Sequence, residues 1–196
     1  SDVYKRQVEE MRSVKVGNVT ENLCLSRIPG DKRSKICAPK DTAGKGSDIS
    51  MLVAHAFREM AKTSDIAIQN GGGVRTDIAK GDLTMGDAYK LLPFANTLVE
   101  MDMTGAEIKA VLEEALDYAL QPDGSTGAYP YAAGLRWHVD AGKPAGERLS
   151  KMEFKGRTDT SWSALDMNKS YRLVTNNYIA AGRDLSLIHI SEPTRR

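Results

Sequence analysis

The sequence predicts an α+β fold, a single domain with a mixed β-sheet flanked by helices, and three observations carry that expectation. Two segments place apolar residues at helical spacing behind a capping residue. Ser47 precedes Ile49, Leu52, Val53, Ala56, Phe57 and Met60, and Thr104 precedes Ile108, Val111, Leu112, Ala115, Leu116 and Ala119. A short apolar run, Ile66-Ala67-Ile68, is bounded by turn residues and suits a strand covered on both faces. Residues 97–103, 134–139, 149–154 and 171–175 read as further strands. Helices mixed with single strands and hairpins, without a repeating strand–helix unit, point to a mixed sheet.

The totals narrow the function. The 196 residues are enough for one good core. With 27 basic against 26 acidic side chains and a net charge of +1, no clustered cationic footprint for nucleic acid is expected. No apolar run is long enough to span a bilayer. The N-terminus has no charged-then-apolar signal pattern, which is silent on export if the chain is a piece of a longer protein. Cys24 and Cys37 are the only cysteines. Their spacing suits a disulfide closing a short loop, or equally two unrelated buried thiols.

In chain order, both ends read as foreign to the domain. Residues 1–7 (SDVYKRQ) and 186–196 (SLIHISEPTRR) resemble translated sequencing-adapter read-through. We divide the chain at 1–12 (adapter-like residues and the end of a helix), 13–184 (the domain) and 185–196 (a tail expected to be non-native). Residues 14–25 alternate loosely and read as a strand, followed by an irregular stretch with Pro29, Gly30, Pro39, Gly44 and Gly46. Thr84 and Asp87 form a capping box with Asp in place of Glu, opening a short helix that Pro93 ends. Thr104 and Glu107 form a full capping box. On the helix behind it, Glu113, Glu114 and Asp117 are expected to form a solvated face.

The stretch with the most chemistry is Asp65 to Arg75. Gly71, Gly72 and Gly73 follow the buried run at once, so the chain turns tightly or lets a ligand approach its backbone. Asn70 and Arg75 bracket that turn with an amide and a planar five-donor cation, a pairing suited to a phosphorylated ligand. A plain glycine turn with a surface arginine fits these residues equally well. No Gly-Lys-Ser/Thr follows the glycines, and neither a dinucleotide G-x-G-x-x-G fingerprint nor a G-x-S-x-G elbow is present. His55, His138 and His189 lack a partner at metal-ligand spacing. What remains is a binding site without a reaction centre.

Four motifs in order, IQNGGGVR, LLPFANTLVEMDMTGAEI, GSTGAYPYAAGLRW and NNYIAAGRD, resemble the C-terminal domain of the 5′-nucleotidase family. LCLSRIPG and KGSDIS are most similar to its bacterial periplasmic NAD-nucleotidase branch (NAD pyrophosphatase/5′-nucleotidase), and the likeness runs from about residue 8 to 184. The resemblance implies a substrate-binding domain of a secreted hydrolase that cleaves phosphate esters or pyrophosphate of nucleotides. An N-terminal metallophosphoesterase domain, joined through the helix ending near residue 12, would hold two divalent metal ions; no cofactor is expected in this chain. Its implied ligands are nucleotides or nucleosides of the AMP, NMN or NAD type, and its location is periplasmic or extracellular. That export favours the Cys24–Cys37 disulfide. The alternative is a nucleoside- or nucleotide-binding module with no catalytic partner.

By matching position, Phe94 and Tyr178 are the aromatics that sandwich the base; residue type alone would make Phe94 core packing. Tyr178 stands where phenylalanine is usual. Asp184 matches the acceptor for the ribose hydroxyls, with Arg183 where a second glycine is common. Asn70 and Asn96 match nucleotide-contacting positions, and Gly127 matches a glycine whose backbone lies against the base. Arg75 matches a phosphate-binding arginine. Arg27 and Arg33 are weaker candidates for further phosphate contacts, with surface solvation the default for each.

Overall fold

A computed structural model describes residues 2–180. In chain order it comprises α1 (Asp2–Ser13), β1 (Lys15–Val19), α2 (Pro39–Thr42), α3 (Asp48–Met60), β2 (Ile66–Asn70), β3 (Gly81–Thr84) and α4 (Met85–Leu91). β4 (Leu98–Thr104), α5 (Gly105–Leu120), β5 (Pro130–Ala133), β6 (Leu135–Val139), β7 (Leu149–Phe154), β8 (Ser163–Ala164), β9 (Ser170–Asn176) and α6 (Asn177–Ala180) follow. Single 3-10 turns occupy Gly71–Gly73 and Thr126–Ala128.

The central sheet has the order β4-β9-β2-β5. β2 runs parallel to β9 and antiparallel to β5, while β4 runs antiparallel to β9, so the sheet is mixed as expected. All five residues of β2 are buried, which explains its continuous apolar run. Its alternate residues serve opposite faces. Ile66 and Ile68 join Leu173, Ile108, Leu112 and Leu116 beneath α5, whereas Ala67 meets Ala54 of α3 with Ala133 and Val174. The small residues on the α3 side let that helix lie close to the strands. β6, β7 and β8 form a second, antiparallel sheet, and β1 pairs with β3.

Local chemistry fixes the helix starts. The Ser47 hydroxyl accepts the Ser50 N–H at 3.1 Å. The Thr84/Asp87 and Thr104/Glu107 boxes are both closed in each direction. α1 spans Asp2–Ser13, taking in residues expected to be adapter-like as well as the expected helix end near residue 12, and none of its side chains is buried.

Three expectations are corrected. The strand expected over 14–25 stops at Val19. Beyond it Leu23 makes an isolated bridge with Ile78 (2.8 and 3.1 Å), flanked by side-chain bonds from Lys80 N–H to Asn22 Oδ1 (2.9 Å) and from Leu25 N–H to Asp77 Oδ1 (2.6 Å). The inward face of α3 matches its apolar spacing only in part, at Ile49, Val53 and the partly buried Phe57. Ile49, Ser50, Val53 and Ala54 are buried, while Leu52, Ala56 and Met60 are exposed, Met60 by 74%. Ser50 can point inward because its hydroxyl is bonded to that of Ser47 at 2.8 Å. Finally, Glu113 is not on a solvated face. It is 5% exposed and accepts the Leu149 N–H (2.7 Å) and the Arg148 N–H (3.1 Å), and Asp117 pairs with the Arg148 guanidinium at 2.7 Å. These carboxylates dock the start of β7 onto α5; Glu114 is exposed, as expected.

Cys24 and Cys37 are bonded. Inside the loop they close, Asp77 accepts from Ser34 Oγ (2.7 Å) and the Lys35 N–H (2.8 Å) as well as from Leu25. A loop with little apolar content is therefore held by a covalent link, by Asp77 from outside it and by Asp31 within it, whose carboxylate accepts the Arg27, Ile28 and Arg33 N–H groups.

Candidate nucleotide-binding site

Strand polarity brings the candidate residues to one edge. β2 and β9 are parallel, so Asn70 and Asn176 end together, and antiparallel β4 starts opposite them with Leu98 paired to Asn176. The glycine turn, residues 92–97 and α6 all leave the sheet there. Ligands of sheets with parallel strands gather at such carboxyl ends.

Beneath this edge lies a buried amide cluster. Asn176 Nδ2 donates to Gln69 Oε1 at 2.8 Å and to Asn70 Oδ1 at 3.3 Å, and Asn176 Oδ1 accepts the Ile179 N–H at 2.9 Å. Gln69, Asn70 and Asn176 are each no more than 3% exposed. Buried amides are costly unless paired, so this network fixes β2, β9 and the start of α6 as one unit. Gln69 and Asn176 escaped the sequence reading. The available signal was that two apolar strands both end in amides.

Above the cluster, the Arg75 N–H donates to Leu91 O (3.0 Å) and Arg75 Nη1 to Gly72 O (3.3 Å). The guanidinium carbon lies 5.8 Å from the centroid of the Phe94 ring. Phe94 is 52% exposed and Tyr178 37%, so neither ring is spent in the core. Asn96 is exposed on the same loop as Phe94. On the other flank, a Cβ on Gly72 would sit 3.0 Å from Gly127 Cα, and one on Gly71 would sit 3.3 Å from Arg27 Cα. Only glycines allow this backbone-to-backbone approach. Arg27 Nη1 donates to Thr126 Oγ1 at 3.5 Å, bringing the guanidinium beside Gly127. Arg33 is exposed and 4.0 Å from Asp31, whose carboxylate also accepts the Arg27 N–H at 2.9 Å. The structure thus joins Arg75 with Phe94 and Arg27 with Gly127, with Asn70 below. Asp184, Arg183 and His189 lie outside the described residues.

The segment carrying Arg27 is anchored by a buried phenol: Tyr131 Oη donates to Arg27 O at 2.7 Å. Burial pushes the Tyr131 hydroxyl well above the usual tyrosine range and that of Tyr129 up to about 12. Both phenols favour the neutral form in the fold. The Tyr129 contribution is complete below the unfolded value near pH 10 and is lost as pH rises through 12, on the order of 3 kcal/mol. Urea unfolding is expected to show stability falling between pH 10 and 12, and less steeply in Tyr129→Phe. A flat profile there would contradict this reading.

Among the described residues, no group of three His, Cys, Asp or Glu could hold a metal ion. His55 and His138 are exposed, and partial burial together with Arg58 holds the His55 imidazole below its ordinary range. This donor set does not fit a two-metal centre. A groove of about 540 Å³ bordered by Met51, Leu120, Tyr131, Trp137 and His138 contains none of the candidate residues.

Residues 16–189 match the family model described as the 5′-nucleotidase C-terminal domain. The chain belongs to this family. It is 39% identical over 182 residues to the NAD 5′-nucleotidase of Haemophilus influenzae, covering 92% of this chain and 29% of that protein. It is 48% identical over 121 residues to a probable 5′-nucleotidase of Treponema pallidum, covering 61% and 20% respectively. Among solved structures, Haemophilus influenzae NAD nucleotidase superposes with a TM-score of 0.78 at 37% identity, over 93% of this chain and 32% of that one. A 5′-nucleotidase precursor from Thermus thermophilus gives 0.74 at 32% identity, over 93% and 33%. The chain therefore spans about a third or less of the length of these relatives, and this 5′-nucleotidase C-terminal domain has the α+β fold its motifs implied.

Proposed function

We propose that this 5′-nucleotidase C-terminal domain is the nucleotide-gripping part of a longer, exported, metal-dependent hydrolase acting on mononucleotides or pyrophosphate-linked dinucleotides. The observation that carries the proposal is the exposed Phe94 ring with the Arg75 guanidinium 5.8 Å from its centroid, at the strand ends where α6 presents Tyr178. An aromatic face left to solvent beside a cation suits a ligand that is flat at one end and anionic at the other. In this reading, Phe94 and Tyr178 stack the base, each worth about 1–3 kcal/mol. Arg75 forms a bidentate pair with phosphate oxygens. Asn70, Asn96 and Gly127 line the approach, Arg27 and Arg33 add positive charge, and Asp184 accepts from the ribose hydroxyls.

The relatives extend well beyond this chain, and the chain's described donors do not fit a metal pair, so we assign hydrolysis to a metallophosphoesterase domain N-terminal to α1 in the whole protein. The contribution of this domain is positional: binding energy from base and ribose holds the phosphorus for attack. The Cys24–Cys37 disulfide supports a periplasmic or extracellular location.

Calorimetry with Arg75→Ala tests the assignment. AMP affinity is expected to fall by roughly 10-fold or more, the scale of a charge-assisted hydrogen bond, while adenosine affinity is unchanged. The purified chain is expected to bind AMP without turning it over. Equal losses for AMP and adenosine, or hydrolysis by the chain alone, would overturn the reading.

A further inference from the structure

We infer that Asn177 is a positioning residue for base recognition: its side chain fixes the loop bearing Phe94 against the helix bearing Tyr178 and so sets the separation of the two rings. The inference rests on the reading of those rings as the base clamp.

The β4–β9 ladder ends at the pair Leu98–Asn176. One residue further, the backbone of β9 has turned into α6, so an ordinary ladder would stop. Here it continues by substitution. The Asn177 N–H donates to Thr97 O at 2.9 Å, and the Thr97 N–H is taken by the side-chain oxygen Asn177 Oδ1 at 3.0 Å. A side-chain carbonyl stands where a strand would supply a backbone one. Phe94 lies three residues before Thr97, and Tyr178 immediately follows Asn177. The loop that carries Phe94 is thus tied at one end by the Arg75 N–H to Leu91 O and at the other by Asn177.

The neighbouring asparagine does the complementary job. Asn176 holds α6 from within, through the Ile179 N–H and the buried amides of Gln69 and Asn70. Tyr178 is therefore referenced to the core by Asn176, and Phe94 is referenced to Tyr178 by Asn177. Asn177 is exposed, so its amide can be changed without opening the core.

The test is calorimetric titration of the 196-residue chain with AMP, with Thr97 amide hydrogen exchange alongside. Asn177→Ala is expected to weaken AMP binding about tenfold, accelerate Thr97 exchange and leave the melting temperature unchanged. Asn177→Asp, which keeps an acceptor oxygen, restores both affinity and exchange protection. In a Phe94→Ala background, Asn177→Ala adds no further loss, because it acts through that ring. Wild-type affinity in Asn177→Ala, failure of Asn177→Asp to rescue, or full additivity with Phe94→Ala would each overturn the inference. If Phe94→Ala itself leaves AMP affinity unchanged, the base clamp fails and this inference falls with it. A loss in Phe94→Ala but not in Asn177→Ala defeats the inference alone.

Discussion

The double replacement Phe94→Ala/Tyr178→Ala is expected to lower the affinity of the chain for AMP by at least about 30-fold while leaving its thermal stability almost unchanged. Two base stacks at about 1–3 kcal/mol each set the scale of the affinity loss. The stability forecast follows from position: the rings are 52% and 37% exposed and neither belongs to the buried clusters of the core, so truncating them empties no core site. Tyr178→Phe keeps the π face and should bind nearly as well as the native chain. Calorimetry of the variants against AMP, with melting curves as the control, measures both halves. A double variant that binds normally, or one that unfolds, would show that these aromatics serve packing instead.

Glu113→Ala is expected to cost about 4 kcal/mol of stability, because it strips two backbone donors of their acceptor in a buried setting. The Glu113 carboxylate accepts both the Arg148 and the Leu149 N–H, at 3.1 and 2.7 Å. Without it the Leu149 donor is left buried beside the apolar cluster containing Leu112 and Leu116, and the Arg148 donor is left part-buried. Removing the neighbouring Asp117 should cost less, since its pair with Arg148 is partly exposed and water can replace it. Chemical denaturation of both variants checks the order. Equal small losses would mean that β7 is docked chiefly by its apolar residues.

Much of the fold was legible because its signals are local. Thr84 with Asp87 and Thr104 with Glu107 announce helix starts within a single turn, and Ile66-Ala67-Ile68 before three glycines announces a buried strand that must bend. Long-range replacement of expected roles was illegible. Glu113 looks solvated on a helical wheel, and only a strand 36 residues later supplies the donors that bury it. Ser50 and Ala54 occupy the inward face of α3, while Leu52 and Met60 point outward, since side-chain size against the sheet overrules apolar count. At the candidate site, the motifs flagged Arg75 and Phe94, yet nothing local distinguishes an exposed Phe94 from a packed one after Leu91-Leu92-Pro93. The Gln69–Asn176 bond joins residues 107 apart and needed the parallel pairing of β2 with β9 before it could be seen.

The measurement that bears most directly on the central claim is a crystal structure of the chain with AMP bound. The account predicts the adenine held between the Phe94 and Tyr178 rings with the phosphate within hydrogen-bond reach of the Arg75 guanidinium. Adenine seated elsewhere, or a phosphate turned away from Arg75, would contradict it.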